Sequence, residues 1–221
     1  MASIDFTTAR HNMVESQIRT NKVRDVRLLD ALDEVPRERF LPQGRRGIAY
    51  NDEDLPLGGN RYLMEPMVLA RLIQAAEVRP GDLVLDVACG TGYSAALMTH
   101  MGATVVGLEP EQALLDIGAE ALDHRDMESA VLLKGEIAEG YPKQAPYNAI
   151  LLGGAVSEVP SALFDQLADG GRLVTVLRDD ATVPGSAVLY RRAGEVVSYR
   201  TLFDANTPVL PGMEKQKGFV F

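Results

Sequence analysis

The chain of 221 residues has a single cysteine, Cys89, no tryptophan and only three histidines. One thiol excludes an internal disulfide framework. His11, His100 and His124 stand at no ligand spacing from one another or from Cys89, so no metal site is expected. Long apolar runs are also missing, and no stretch approaches the roughly 20 residues that span a bilayer. The first ten residues lack the apolar core of a signal peptide, so the expected location is cytoplasmic, away from membranes. Positive charge is scarce: 22 Lys and Arg stand against 31 Asp and Glu, a net charge of −9. That balance argues against a nucleic-acid or anionic-membrane partner, which selects for clustered basic residues. What remains is 46% hydrophobic and 24% charged, an ordinary globular composition long enough for one sizeable core.

The most informative segment is Val84-Leu85-Asp86-Val87-Ala88-Cys89-Gly90-Thr91-Gly92-Tyr93. It begins short, apolar and β-branched, as a buried strand does, and it stops at glycines where the backbone turns. Residues 94–101 read as a helix, so the segment forms a strand, a Gly-rich turn and a helix N-terminus. That unit presents unpaired N–H groups at the carboxyl edge of a parallel sheet. A second apolar run, 103–108, ends on Glu109, whose carboxylate would sit beside the turn and accept bonds from the vicinal hydroxyls of a ribose. Ala88 stands where the first glycine of a G-x-G-x-G turn is usual. A purely structural strand–helix turn gives much of the same pattern. The coincidence of turn, helix and acidic strand end favours a nucleoside cofactor.

Around this unit the periodicity gives an outline. Met13, Val14 and Ile18 lie on one face of a helix over 6–19. Asp25 caps a second helix, with Val26, Leu28, Leu29 and Leu32 as its apolar stripe, and Val35-Pro36 ends it. Residues 41–62, with Pro42, Gly44, Gly47, Pro56, Gly58 and Gly59, are expected to be irregular, and a loop of that length in a compact domain is usually functional or disordered. Pro66 opens a helix to about Glu77. Strands follow over 83–87, 104–109, 130–134, 147–152 and 171–177, alternating with helices, which implies a parallel sheet with right-handed crossovers. A helix is expected over 160–167 with Ser157 as its cap. Two apolar runs, 186–191 and 195–203, flank Arg192-Ala193-Gly194 and read as an antiparallel hairpin. The tail 204–221 is expected to pack as a strap. The expected division is 1–80, helices and a substrate loop, and 81–221, a cofactor-binding core, in one compact unit.

Helices before the first strand, Asp86 ahead of the turn and the terminal hairpin together resemble the class I S-adenosylmethionine-dependent methyltransferases. The resemblance implies a Rossmann-like α/β fold with a mostly parallel seven-stranded sheet, an antiparallel C-terminal hairpin and an N-terminal helical appendage. It also implies S-adenosyl-L-methionine as cofactor. Asp86, Ala88, Cys89, Gly90 and Gly92 would line its methionine end, Glu109 and Pro110 its ribose, and Glu136 and Ile137 its adenine, with Gly153 bordering the substrate side.

The chain further resembles the protein-L-isoaspartate O-methyltransferase family nearly end to end. Matching segments include Met13-Val14-Glu15-Ser16-Gln17-Ile18, Val35-Pro36-Arg37-Glu38-Arg39-Phe40, Leu55-Pro56-Leu57-Gly58, Ala145-Pro146-Tyr147, Glu158-Val159-Pro160 and Gly170-Gly171-Arg172-Leu173-Val174. The likeness implies methylation of a carboxylate on isoaspartyl residues of proteins or peptides, in protein repair. One stretch departs from it. Where the family resembles His-Gly-Gln-Thr-Ile-Ser-Gln-Pro, this chain reads Gly59-Asn60-Arg61-Tyr62-Leu63-Met64-Glu65-Pro66. Met64 takes the place of a serine implicated in placing the substrate carboxylate, and a thioether donates no hydrogen bond. Glu136 and Asn148 stand where aspartates are usual.

Arg61, Tyr62, Met64 and Glu65 are therefore the candidate catalytic residues of the substrate loop. Arg61 reads either as a fork for an anionic substrate or as a solvated surface arginine. Leu63 and Met64 read as core or as an apolar substrate wall. Cys89 reads as small packing beside the cofactor or as a thiol activated by a helix N-terminus. Three functions stay open: isoaspartyl carboxyl methylation, the same chemistry on another acceptor such as a small molecule, and a silent cofactor-binding or interaction protein.

Overall fold

A computed structural model describes residues 4–123 and 129–215. His124 and the end of the expected strap, Phe219-Val220-Phe221, lie outside the described residues. The chain opens with helix α1, Phe6–Met13, capped by the Asp5 carboxylate, which accepts from the Thr7 and Thr8 N–H groups. It runs on through a π-helical turn, Val14–Ile18, and a 3-10 turn, Arg19–Asn21. Helix α2, Val26–Glu34, is capped by Asp25 and ends at the extended Val35 before Pro36, as the sequence implies.

The stretch expected to be irregular is in part ordered. After a 3-10 segment, Gln43–Ile48, strands β1, Leu55–Gly58, and β2, Arg61–Leu63, form an antiparallel two-stranded sheet of their own. Gly58, Gly59 and Asn60 take positive φ and close the turn. Leu55, Leu57, Arg61 and Leu63 face inward with period two, a signal hidden among the glycines and prolines.

Helix α3, Pro66–Ala76, leads into the main sheet. Its strands are β3, Leu83–Val87; β4, Thr104–Glu109; β5, Ala130–Lys134; β6, Tyr147–Val156; β7, Leu167–Leu177; β8, Ser186–Ala193; and β9, Val196–Asp204. They lie in the order β5-β4-β3-β6-β7-β8-β9. Pairings are parallel from β5 to β7 and antiparallel through β8 and β9, so the sheet is seven-stranded and mostly parallel with a C-terminal hairpin. Helices α4, Tyr93–His100, and α5, Gln112–Asp123, make the first two crossovers. The helix expected over 160–167 is only α6, Ser161–Asp165, flanked by the extended Pro160, and Ser157 does not cap it. Leu167 already belongs to β7, because its pairing with Tyr147 draws the chain into the sheet.

Alternate residues of β3 serve opposite faces: Val84 joins one core with the N-terminal helices and α4, while Leu85 and Val87 join the other. The N-terminal segment from Met13 to Val78 and the sheet thus share one apolar cluster, reaching to Ala205. The tail crosses the end of β6, where the Leu210 N–H donates to Ala155 O at 2.8 Å and Ala155 N–H donates to Pro208 O at 3.1 Å. Among the described residues no helix is long and apolar enough to cross a membrane.

Candidate active site

The chain leaves β3, first builds β4 and β5 on one side, and then returns to build β6 on the other. The carboxyl ends of β3 and β6 therefore flank a topological switch point, the place where open α/β sheets bind ligands. The turn after β3 sits there. Ala88, Gly90 and Gly92 all take positive φ, at 56°, 58° and 82°. Alanine at such an angle is strained, a condition retained mainly where surrounding structure or function demands it. From β6, Gly153 comes so close that a Cβ would lie 2.6 Å from Ala88 O, so no larger residue fits.

Two acids are buried at this edge. Asp86 is fully buried; its Oδ2 accepts from Ser94 Oγ at 2.6 Å and its Oδ1 has no partner. Burial pushes its pKa up to about 7, with Glu109 adding to the rise and Ser94 opposing it. The folded chain thus holds a proton that the unfolded chain releases near 3.8. The resulting stabilisation is complete below that value and is lost as the pH rises to about 7. Asp86→Asn should abolish this slope. Calorimetric melting of both proteins from pH 4 to 8 is expected to show the wild type losing ground to the variant across that window; parallel curves would refute the assignment.

Glu109 ends β4 with no exposed surface. Its Oε2 accepts from the Gly90 N–H at 2.8 Å and its Oε1 from the Glu111 N–H at 3.2 Å. The turn therefore does not offer all its N–H groups freely, because a buried donor must be paired. Cys89 N–H donates to Leu108 O and Gly92 N–H to Cys89 O. Cys89 itself packs against Gly107 of β4, whose added Cβ would lie 3.0 Å from Sγ. Burial raises its thiol pKa, so it is an inert packing residue and the activated-thiol reading falls.

Arg61 is not a surface arginine: it is 3% exposed. Its Nη2 donates to Glu109 Oε2 at 2.8 Å and to Ala88 O at 2.9 Å. Met64 and Leu63 are core residues, and the Met64 carbonyl accepts from Arg37 Nη2 at 2.8 Å. Tyr62, on the opposite face of β2, is 36% exposed and borders a cavity of about 390 Å³ with Asn60, Arg178, Pro208 and Pro211. Glu65 is half-buried, and burial with Asp52 and Asp54 nearby pushes its pKa to about 7. Pro110 is half-buried after Glu109, Ile137 lies in the core beneath, and Glu136 is exposed. The structure thus gathers Arg61, Asp86, Ala88, Cys89, Gly90 and Glu109, with Gly153 against Ala88. Tyr62 and Glu65 lie on other faces of the loop. Ser94, which holds Asp86, was missed; its one signal was a small polar residue in the apolar first two turns of the helix.

Residues 8–200 match the model of the protein-L-isoaspartate(D-aspartate) O-methyltransferase family. The chain belongs to that family. Protein-L-isoaspartate O-methyltransferase 2 of Anaeromyxobacter sp. (strain Fw109-5) is 40% identical over 167 residues, 76% of this chain and 69% of its own length. Protein-L-isoaspartate O-methyltransferase 1 of Rhodopseudomonas palustris (strain HaA2) is 34% identical over 209 residues, 95% of this chain and 85% of its own. A solved protein-L-isoaspartate O-methyltransferase superposes with a TM-score of 0.80 at 24% identity, covering 93% of this chain and 67% of that one. A Plasmodium falciparum protein described as a beta-aspartate methyltransferase, solved with S-adenosyl-L-homocysteine, superposes with a TM-score of 0.74 at 21% identity, covering 94% and 99%. These two likenesses show the fold; the sequence matches carry the family, and the protein is a methyltransferase.

Proposed function

We propose that this protein transfers the methyl group of S-adenosylmethionine to the carboxylate of isoaspartyl residues in proteins or peptides. The observation that carries this reading is the meeting of Asp86, the Ala88 to Gly92 turn and Glu109 at the switch point of a chain that matches the family over 8–200. The residues fit the donor. Two buried carboxylates, one with an unpartnered oxygen, suit a ligand that carries an ammonium group and a ribose diol. Gly153 lets β6 pack directly against the Ala88 carbonyl, which fixes the turn at the switch point. Glu109 would hold the ribose hydroxyls and Asp86 the amino-acid end.

When bound, the donor supplies a carbon already activated by a positive sulfonium. A carboxylate acceptor is ionised at neutral pH and needs no general base. The protein's part is alignment and the exclusion of water by Leu57, which lies over Gly90, and Leu210, which lies over Gly154. Labelled methyl transfer to an isoaspartyl peptide, with the aspartyl peptide as control, is the direct test. Proven donor binding without incorporation would move the reading to another acceptor, for which the replaced serine is the motive.

Because the Met64 side chain is 5% exposed and sits in the core, restoring serine there should not raise the isoaspartyl rate. Met64→Ser should instead destabilise the fold by about 2–4 kcal/mol, as expected for a buried methionine made small and polar. Rates on the peptide and a chemical denaturation curve check both parts; a large gain in rate would show that position 64 faces the acceptor.

A further inference from the structure

The substrate hairpin does more than border the acceptor side. It lies over the glycine turn by two contacts: Leu57 Cδ1 would be 3.2 Å from a Cβ on Gly90, and Arg61 reaches Glu109 and Ala88. Glu109 Oε2 already accepts from both Gly90 N–H and Arg61 Nη2, which fills its two lone pairs. Oε1 accepts one bond, from Glu111. A diol needs more acceptor capacity than this carboxylate has left. The Ala88 carbonyl, a second acceptor at the turn, is also taken by the guanidinium.

We propose that Arg61 is an internal occupant of the donor site, a cation that S-adenosylmethionine must displace from Glu109 and Ala88 before it binds. The inference rests on the donor reading given above. Arg61 is built to be displaced. A single nitrogen, Nη2, makes both of its bonds, while the buried Nε and Nη1 have no partner. A bidentate fork would grip far more firmly. The hairpin that carries it is short, four and three residues, and among the described residues it pairs with no strand of the main sheet, so Arg61 leaves without breaking that sheet's ladder. Leaving is also tolerable for Glu109, which keeps two backbone N–H bonds. Since Tyr62 on the opposite face of β2 borders the cavity against the C-terminal strap, displacement of Arg61 moves a wall of the acceptor side. Donor first, acceptor second is the order this imposes.

The probe is S-adenosylhomocysteine, titrated calorimetrically into the wild type and Arg61→Met, together with solvent exchange of the Arg61 Nε–H by ¹⁵N NMR, its signal assigned in the wild type by through-bond correlation to the Arg61 backbone. An affinity reduced by the closed fraction recovers when the occupant is removed. Arg61→Met should therefore bind at least tenfold tighter, and the wild-type Nε–H should pass from slow to fast exchange at saturation. An affinity within threefold of wild type, or an Nε–H still protected in the saturated complex, overturns the proposal. If the variant does not fold, the wild-type NMR decides alone. If neither S-adenosylhomocysteine nor S-adenosylmethionine binds either protein, the donor reading itself has failed and the proposal falls with it.

Discussion

Arg37→Ala should lower the thermal midpoint by about 10 °C. Arg37 has no exposed surface, donates from Nε to Ala49 O at 2.8 Å and from Nη2 to Met64 O at 2.8 Å, and stands 5.0 Å from the Tyr93 ring centroid. Truncation leaves two carbonyls without a donor, each worth roughly 1–3 kcal/mol when buried, and opens a cavity beside the Tyr93 ring of α4. A total of about 3–5 kcal/mol corresponds to that shift at roughly 2–4 °C per kcal/mol for a chain of this size. Arg37→Lys should recover little, because one ammonium cannot reproduce a planar fork aimed at two carbonyls. Differential scanning calorimetry checks both; a shift below 3 °C for the alanine variant would mean that water or neighbouring groups replace the guanidinium. Activity should fall as well, since Arg37 ties the base of the substrate loop to the core.

Glu109→Ala should have two separable effects. Donor affinity should drop at least 100-fold, because hydrogen bonds to a charged acceptor contribute about 1.5–3 kcal/mol each and the ribose would lose two. Stability should fall by about 3 kcal/mol, because Arg61 is left buried with only the Ala88 carbonyl. Adding Arg61→Met to Glu109→Ala should restore most of the stability and none of the affinity. Calorimetric titration with S-adenosylhomocysteine and a denaturation curve for the three proteins measure the two effects. Affinity that survives in Glu109→Ala would remove Glu109 from the ribose site.

The strand, turn and acid at the sheet edge were readable from local pattern. Val84 to Val87 are apolar and β-branched around Asp86, the glycines follow at once, and Glu109 ends the next apolar run, so strand, turn and acid are each encoded within a few neighbouring residues. The helices over 26–34 and 66–76 were readable for the same reason, their stops being set by Val35-Pro36 and by Glu77 in the left-handed region. The β1–β2 hairpin was not, since three and four residues carry too little periodicity to stand out from the glycines around them.

The sequence by itself determined the class of fold, the family and the carboxylates at the switch point, because strand alternation, turn glycines and helix caps act over short distances. Only the tertiary structure decided what those carboxylates touch. Arg61 and Glu109 are 48 residues apart, and Arg37 and Met64 are 27 apart. No local rule pairs them: the crossing of a hairpin over the sheet edge does, and burial there turns a loop arginine, open to two readings in the sequence, into the counter-ion of Glu109.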